Sequence, residues 1–195
     1  MTRSWLAPFA LGLALMTALP AAAQTEVKDP PPTWSHRAAK VDFPQRLGAF
    51  ERGRVFEYNE DGSDASVGYD LTRDGKLAAI LTIYVYPANE LGCDGTFTDA
   101  QAAITRTYKE AKLGAERRLP SPNGATPDAA RQVRYTFPLA LRSEQPAPVK
   151  SDLYLYCAPG DRWLVKYRAT YLADLDLDTE IAAALRAIQW PAPLR

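Results

Sequence analysis

Apolar and polar positions alternate with a period of two over residues 66–72 and 76–86, on either side of Arg73-Asp74-Gly75. An Asp-Gly pair between two alternating runs is a strong hairpin signal, because Gly accepts positive φ without steric cost and Asp tolerates it. In the second arm Ala79, Leu81, Ile83 and Val85 point one way, and Ile80, Thr82, Tyr84 and Tyr86 the other. Both sets are largely apolar, which predicts a strand covered on both faces. Residues 50–58 form a further strand before it, with Gly53 marking a bulge or close approach. Beyond it Val133, Tyr135 and Phe137 alternate with Gln132, Arg134 and Thr136. Leu153, Leu155 and Cys157 share one face of the next strand, with Tyr154 and Tyr156 on the other. Pro159-Gly160-Asp161 turns the chain into a last strand over residues 163–171, where Lys166 and Arg168 alternate with Val165 and Tyr167.

Two segments change period. Phe97, Ala100, Ile104, Tyr108 and Ala111 recur at three and four residues, with Thr96 placed to cap the start and Gly114 to close the end. Ile181, Leu185 and Ile188 form a second helical stripe over residues 178–189, opened by Asp178 and Glu180 and stopped by Trp190-Pro191. Residues 115–130 hold Pro120, Pro122, Asn123-Gly124 and Pro127 and read as a surface loop. The predicted fold class is therefore α+β: a mainly antiparallel sheet of about six strands with two packed helices.

The ends of the chain set its context. Arg3, an apolar run over residues 6–19, and Pro20-Ala21-Ala22-Ala23 before Gln24 make residues 1–23 a secretory signal peptide, too short to span a bilayer of about 30 Å. Later apolar runs are broken by charge, so no transmembrane segment is expected after cleavage. The location implied is periplasmic or secreted. Residues 24–40, with Pro30-Pro31-Pro32 and the chain's single histidine, His36, read as a proline-rich tether that either hangs free or docks through Trp34. Residues 41–195 form one domain, and a mature chain of about 170 residues can bury a core without metal.

Lys plus Arg and Asp plus Glu balance at 23 each. That balance gives no electrostatic footprint for nucleic acid. Cys93 and Cys157 are the only cysteines, and an oxidising compartment allows them to bridge. Closing a loop of about 65 residues would stabilise the fold by about 4 kcal/mol in the chain-entropy model. Because Cys157 lies on the aliphatic face of its strand, the bridge would pin the entrance of the first helix there.

No catalytic set can be named. His36 has no G-x-S-x-G elbow to serve, and Gly92-Cys93-Asp94-Gly95 lacks the Lys-Ser/Thr of a phosphate loop. Asp174, Asp176 and Asp178 alternate like calcium ligands, yet Thr179 and Leu185 stand where Gly and Glu are needed, and the acidic turn at 59–64 is explained by turn chemistry. No cofactor, metal or catalytic residue is assigned. The constellation that remains is aromatic and cationic: Tyr84, Tyr86, Tyr154 and Tyr156 with Lys166 and Arg168. On one common face they would make a binding surface; otherwise the tyrosines are core.

The strand at 82–87 running through a loop into the helix from Phe97, and the closing strand 165–171 followed by a helix to Ile188, resemble the PsbP-like fold of photosystem-associated extrinsic proteins and of exported bacterial proteins without an assigned function. The likeness lies in element order and covers most of the mature chain. It implies a non-enzymatic module that assists a larger envelope complex, with no functional residue carried across. The expectation is an exported, non-enzymatic binding or accessory module for a protein or small ligand of the cell envelope. The alternative is a hydrolase-like enzyme with an acidic site of unfamiliar form.

Overall fold

The computed structural model describes residues 24–141, 145–160 and 162–194. The expected signal peptide lies outside them. The strands are β1 (Thr25–Glu26), β2 (Thr33–Ser35), β3 (Asp42–Pro44), β4 (Arg46–Leu47), β5 (Phe50–Glu57), β6 (Ala65–Arg73), β7 (Lys76–Pro87), β8 (Lys112–Leu119), β9 (Ala130–Leu139), β10 (Ala147–Cys157) and β11 (Trp163–Leu172). Helix α1 (Gly92–Thr107) follows β7, and α2 (Asp178–Ala187) follows β11. The main sheet runs β1-β5-β6-β7-β11-β10-β9-β8 with β4 also on β5, nine strands in all and every pairing antiparallel. β2 and β3 form a separate two-stranded sheet.

The expected α+β fold with about six strands is therefore corrected to a mainly β architecture with a larger sheet. The added strands lie at the edges, where alternation is weakest. β8 is exposed over nearly its whole length and pairs with β9 on one side only, so its residues carry no apolar period. Gly114, expected to end the helix, sits instead within β8, where a Cβ would lie 2.9 Å from the Arg134 carbonyl oxygen. The close approach falls at a register shift between Leu113 and Glu116. Helix α1 starts earlier than expected, at Gly92, so Thr96 lies inside it and donates its hydroxyl to the Gly92 carbonyl at 2.7 Å. The hairpin forms at Asp74 and Gly75, with φ of 51° and 73° as the two central residues of a primed turn require.

One face of the sheet is sealed. Ala79, Leu81, Ile83 and Val85 of β7 join Val67 and Tyr69 of β6 and Tyr167 and Tyr171 of β11 under α2 and the amino-terminal segment. That segment lies against the body: β1 pairs with β5, Trp34 is 6% exposed and His36 fully buried. Polar ties help to hold it. Arg52 donates to the Phe43 carbonyl at 2.6 Å, the Tyr69 hydroxyl donates to the Pro44 carbonyl at 2.9 Å, and His36 bonds the Val85 carbonyl at 3.0 Å. His36 Nδ1 accepts the Ala39 N–H at 3.1 Å, so the proton sits on Nε2 and the ring is neutral. Burial lowers the pKa of this imidazole and supports that form.

The opposite face carries a second core under α1, where Phe97 and Ile104 pack on Val133, Tyr135, Leu153, Leu155 and Leu164. Cys93, in the first turn of α1, is bridged to Cys157 at the end of β10, with a Cα–Cα distance of 6.0 Å. Among the described residues no helix is long and apolar enough to cross a membrane.

Candidate functional site

The disulfide and the Phe97–Ile104 stripe hold α1 over β9, β10 and β11, so the β5–β7 half of that face is left without a helix. Small side chains deepen the gap: Ser66 and Gly68 on β6 face Tyr84 and Thr82 on β7. Chain parity places the aromatic residues beside them. Tyr84 pairs with Lys166 and Tyr86 with Leu164 in the β7–β11 register. Side chains at paired positions share a face. The result is an open cleft of about 300 Å³ between α1 and the sheet. Its floor is Tyr84, Tyr86 and Lys166, one rim is Tyr58 and Asp64, and α1 supplies Asp99, Ala100 and Ala103 as the facing wall.

Lys166 is half-buried and lies across the tyrosines, its Nζ 4.2 Å from the Tyr84 ring centroid and 5.3 Å from that of Tyr86. These are cation–π distances. The ammonium makes no hydrogen bond or ion pair among the described residues. Burial lowers its pKa, partly offset by the Asp64 carboxylate. Burial in turn raises the pKa of Asp64, whose side chain has no hydrogen bond among the described residues. Burial also pushes the Tyr84 hydroxyl up to about 12, so it is a neutral donor at physiological pH. Tyr58 stacks on Tyr84 with ring centroids 6.4 Å apart and shares a hydrogen bond of 2.9 Å between its hydroxyl and that of Ser66.

Arg168 lies on the same face, two residues along β11 from Lys166 and opposite Thr82, beside the carboxyl end of α1. Its Nε donates to Ser151 Oγ at 3.0 Å, its guanidinium carbon is 5.0 Å from the Tyr108 ring centroid, and its Nη2 is buried without a hydrogen-bond partner among the described residues. It does not line the cleft, and its positive charge, beside Lys166 on the same strand face, helps lower the pKa of that ammonium.

Tyr154 and Tyr156 are elsewhere. In the β10–β11 register even-numbered residues oppose odd ones, so Tyr154 pairs with Tyr167 and joins the sealed face. The two rings stack with centroids 4.6 Å apart, and the Tyr154 hydroxyl donates to the Pro120 carbonyl at 2.8 Å. The structure thus brings together Tyr84, Tyr86 and Lys166, sets Arg168 beside them on the same face, and puts Tyr154 and Tyr156 on the far side of the sheet. Sequence inspection did not reach Tyr58 and Asp64, which complete the cleft; their signal was the turn at 59–64, which returns the chain beside the end of β7.

A smaller pocket of about 110 Å³ lies beside α2, over Tyr154 and Tyr167. Its carboxylates are already engaged. Asp152 accepts from Arg134 Nε at 2.7 Å, Gln132 Nε2 at 2.8 Å and the Tyr171 hydroxyl at 3.0 Å, and Asp178 is ion-paired with Arg134 and Arg117. This network anchors the start of α2 to the sheet, and its hydrogen bonds raise the pKa of the Arg134 guanidinium further. Among the described residues no group of three or more His, Cys, Asp or Glu side chains is arranged to hold a metal ion.

Comparison of the chain with protein-family models, with curated proteins and with solved structures finds no match.

Proposed function

We propose that this chain is an exported, non-catalytic binding module whose ligand site is the cleft between α1 and the β5–β7 half of the sheet, and that it takes up a small molecule of the cell envelope. The observation that carries this reading is Lys166: a half-buried ammonium spread over two tyrosine rings at the floor of an open cleft, with no carboxylate in contact among the described residues. Desolvating an ammonium without an acid partner costs free energy, and such cost recurs where a ligand completes the arrangement. A concave site with an aromatic floor and a few polar groups suits a small ligand better than a flat protein partner. The amino-terminal signal sequence and the Cys93–Cys157 bridge support export to an oxidising compartment. The PsbP-like element order adds the expectation of service to a larger envelope assembly.

The test is a thermal-shift screen of envelope metabolites and cell-wall building blocks against the purified exported protein, repeated on Lys166→Met. Hits that stabilise the parent and lose their effect in Lys166→Met support the cleft. Hits that act equally on both proteins, or a screen with no hit, contradict it.

A further inference from the structure

The cleft holds an ammonium and a carboxylate, Lys166 and Asp64, that form no ion pair among the described residues. Lys166 comes from β11, in the row of Ser66 and Tyr84. Asp64 stands one residue ahead of β6, opposite the end of β7, and reaches the same face from the far rim. Neither side chain forms an ion pair or a hydrogen bond among the described residues, although each feels the other's field. The cleft's other carboxylate, Asp99 on the α1 wall, is ion-paired with Arg106 at 3.7 Å and acts on Lys166 less than Asp64 does, while Asp94 contacts Arg131 at 2.8 Å. Tyr84 and Tyr86, whose rings carry the Lys166 ammonium, line the same cleft, with Ala100 and Ala103 contributed by α1.

A ligand with one charge would satisfy one end of this arrangement and desolvate the other. A small zwitterion satisfies both, an anionic group on the Lys166 ammonium and a cationic group on the Asp64 carboxylate, with its apolar part on the tyrosines. Charge-assisted hydrogen bonds in a partly dry site are the strong kind, and an analogue that lacks one of the two groups leaves its protein partner unpaired. From this juxtaposition we infer that the ligand is a zwitterion of amino-acid size, a molecule bearing a free carboxylate and a free ammonium. The inference rests on the cleft being the ligand site and names what that site selects.

The experiment titrates the purified exported protein with three probes, phenylalanine, N-acetylphenylalanine and phenylalaninamide, following amide and ring shifts of Tyr84 and Tyr86 by NMR. Phenylalanine is expected to bind, and removal of either charge to weaken binding at least about tenfold, the scale of one lost charge-assisted bond. Asp64→Asn, which keeps the shape of the side chain, is expected to weaken phenylalanine and leave N-acetylphenylalanine unchanged. Lys166→Met is expected to weaken phenylalanine and leave phenylalaninamide unchanged. Equal binding of phenylalanine and either single-charge analogue overturns the zwitterion while leaving the cleft as the ligand site. Absence of any shift at Tyr84 and Tyr86 with all three probes overturns the zwitterion too, and the thermal-shift screen then decides the fate of the cleft separately.

Discussion

Tyr84 and Tyr86 on β7 and Tyr154 and Tyr156 on β10 carry the same local pattern, two tyrosines one residue apart in a strand, and they meet opposite environments. The first pair lies half-buried at the floor of an open cleft beneath an ammonium; the second is sealed among aromatic neighbours on the side of α2. What separates them is registry. β7 meets β11 with even residues opposite even ones, and β10 meets β11 with even opposite odd, so one strand's tyrosines share a face with Lys166 and the other's with Tyr167. A difference of a single residue in registry exchanges core for surface, because side chains alternate with period two.

The largest expected effect falls on the sealed pair. Tyr154→Ala removes a ring stacked on Tyr167 and a hydroxyl bonded to Pro120, and is expected to cost about 3–5 kcal/mol in urea unfolding. Tyr84→Ala, in the cleft, is expected to cost about 1 kcal/mol, the centre of the range for ordinary substitutions. Equal costs at the two positions would erase the contrast.

Next comes the bridge that keeps α1 on one half of its face. Replacing both Cys93 and Cys157 by Ser is expected to lower stability by about 2–5 kcal/mol, read by the same unfolding measurement. An unchanged midpoint would show that the Phe97–Ile104 packing holds α1 alone.

Lys166→Met keeps the apolar stem on the tyrosines and removes a charge with no acid in contact among the described residues. Its expected effect on stability is within about 1 kcal/mol of the parent, and a loss several times larger would make Lys166 a structural residue.

The smallest expected effect concerns the amino-terminal segment. His36 is buried and neutral, with its folded pKa held below the unfolded value of about 6.5. Below that value the unfolded chain binds the proton first. Stability is therefore full above about pH 6.5 and falls as pH drops toward the folded pKa, by at most about 1.4 kcal/mol per pH unit from this residue. The neighbouring Glu57 carboxylate, ion-paired to Arg37, favours the proton and moderates the fall. Melting temperatures of the parent and His36→Gln between pH 7 and pH 5 should diverge, with the steeper decline in the parent. Parallel curves would mean that His36 does not titrate in that range.

The central strands were legible because their chemistry is local. Asp74-Gly75 fixes a turn, the alternation of residues 76–86 fixes a strand, and Ile181, Leu185 and Ile188 fix a stripe. Edge strands were not, since β1 and β4 are two residues long and β8 presents exposed side chains, so none of the three displays a period. Whether the tether carrying His36 hangs free or docks was left open because prolines mask the pairing of β2 with β3; the usable signal was Trp34-Ser35-His36, an aromatic and an imidazole two positions apart whose ring centroids lie 6.1 Å from each other. Of the candidate site, the residue types were legible and their division between faces was not. That division depends on the register between strands far apart in sequence, which composition and spacing do not encode.

Nuclear Overhauser contacts from the tyrosine rings test the division most directly. The account predicts contacts from the Tyr84 ring to the Lys166 side chain and to Tyr58, contacts from the Tyr154 ring to Tyr167, and none joining Tyr154 to Lys166. Contacts between Tyr154 and Lys166 or any side chain of α1 would put all four tyrosines on one face and contradict it.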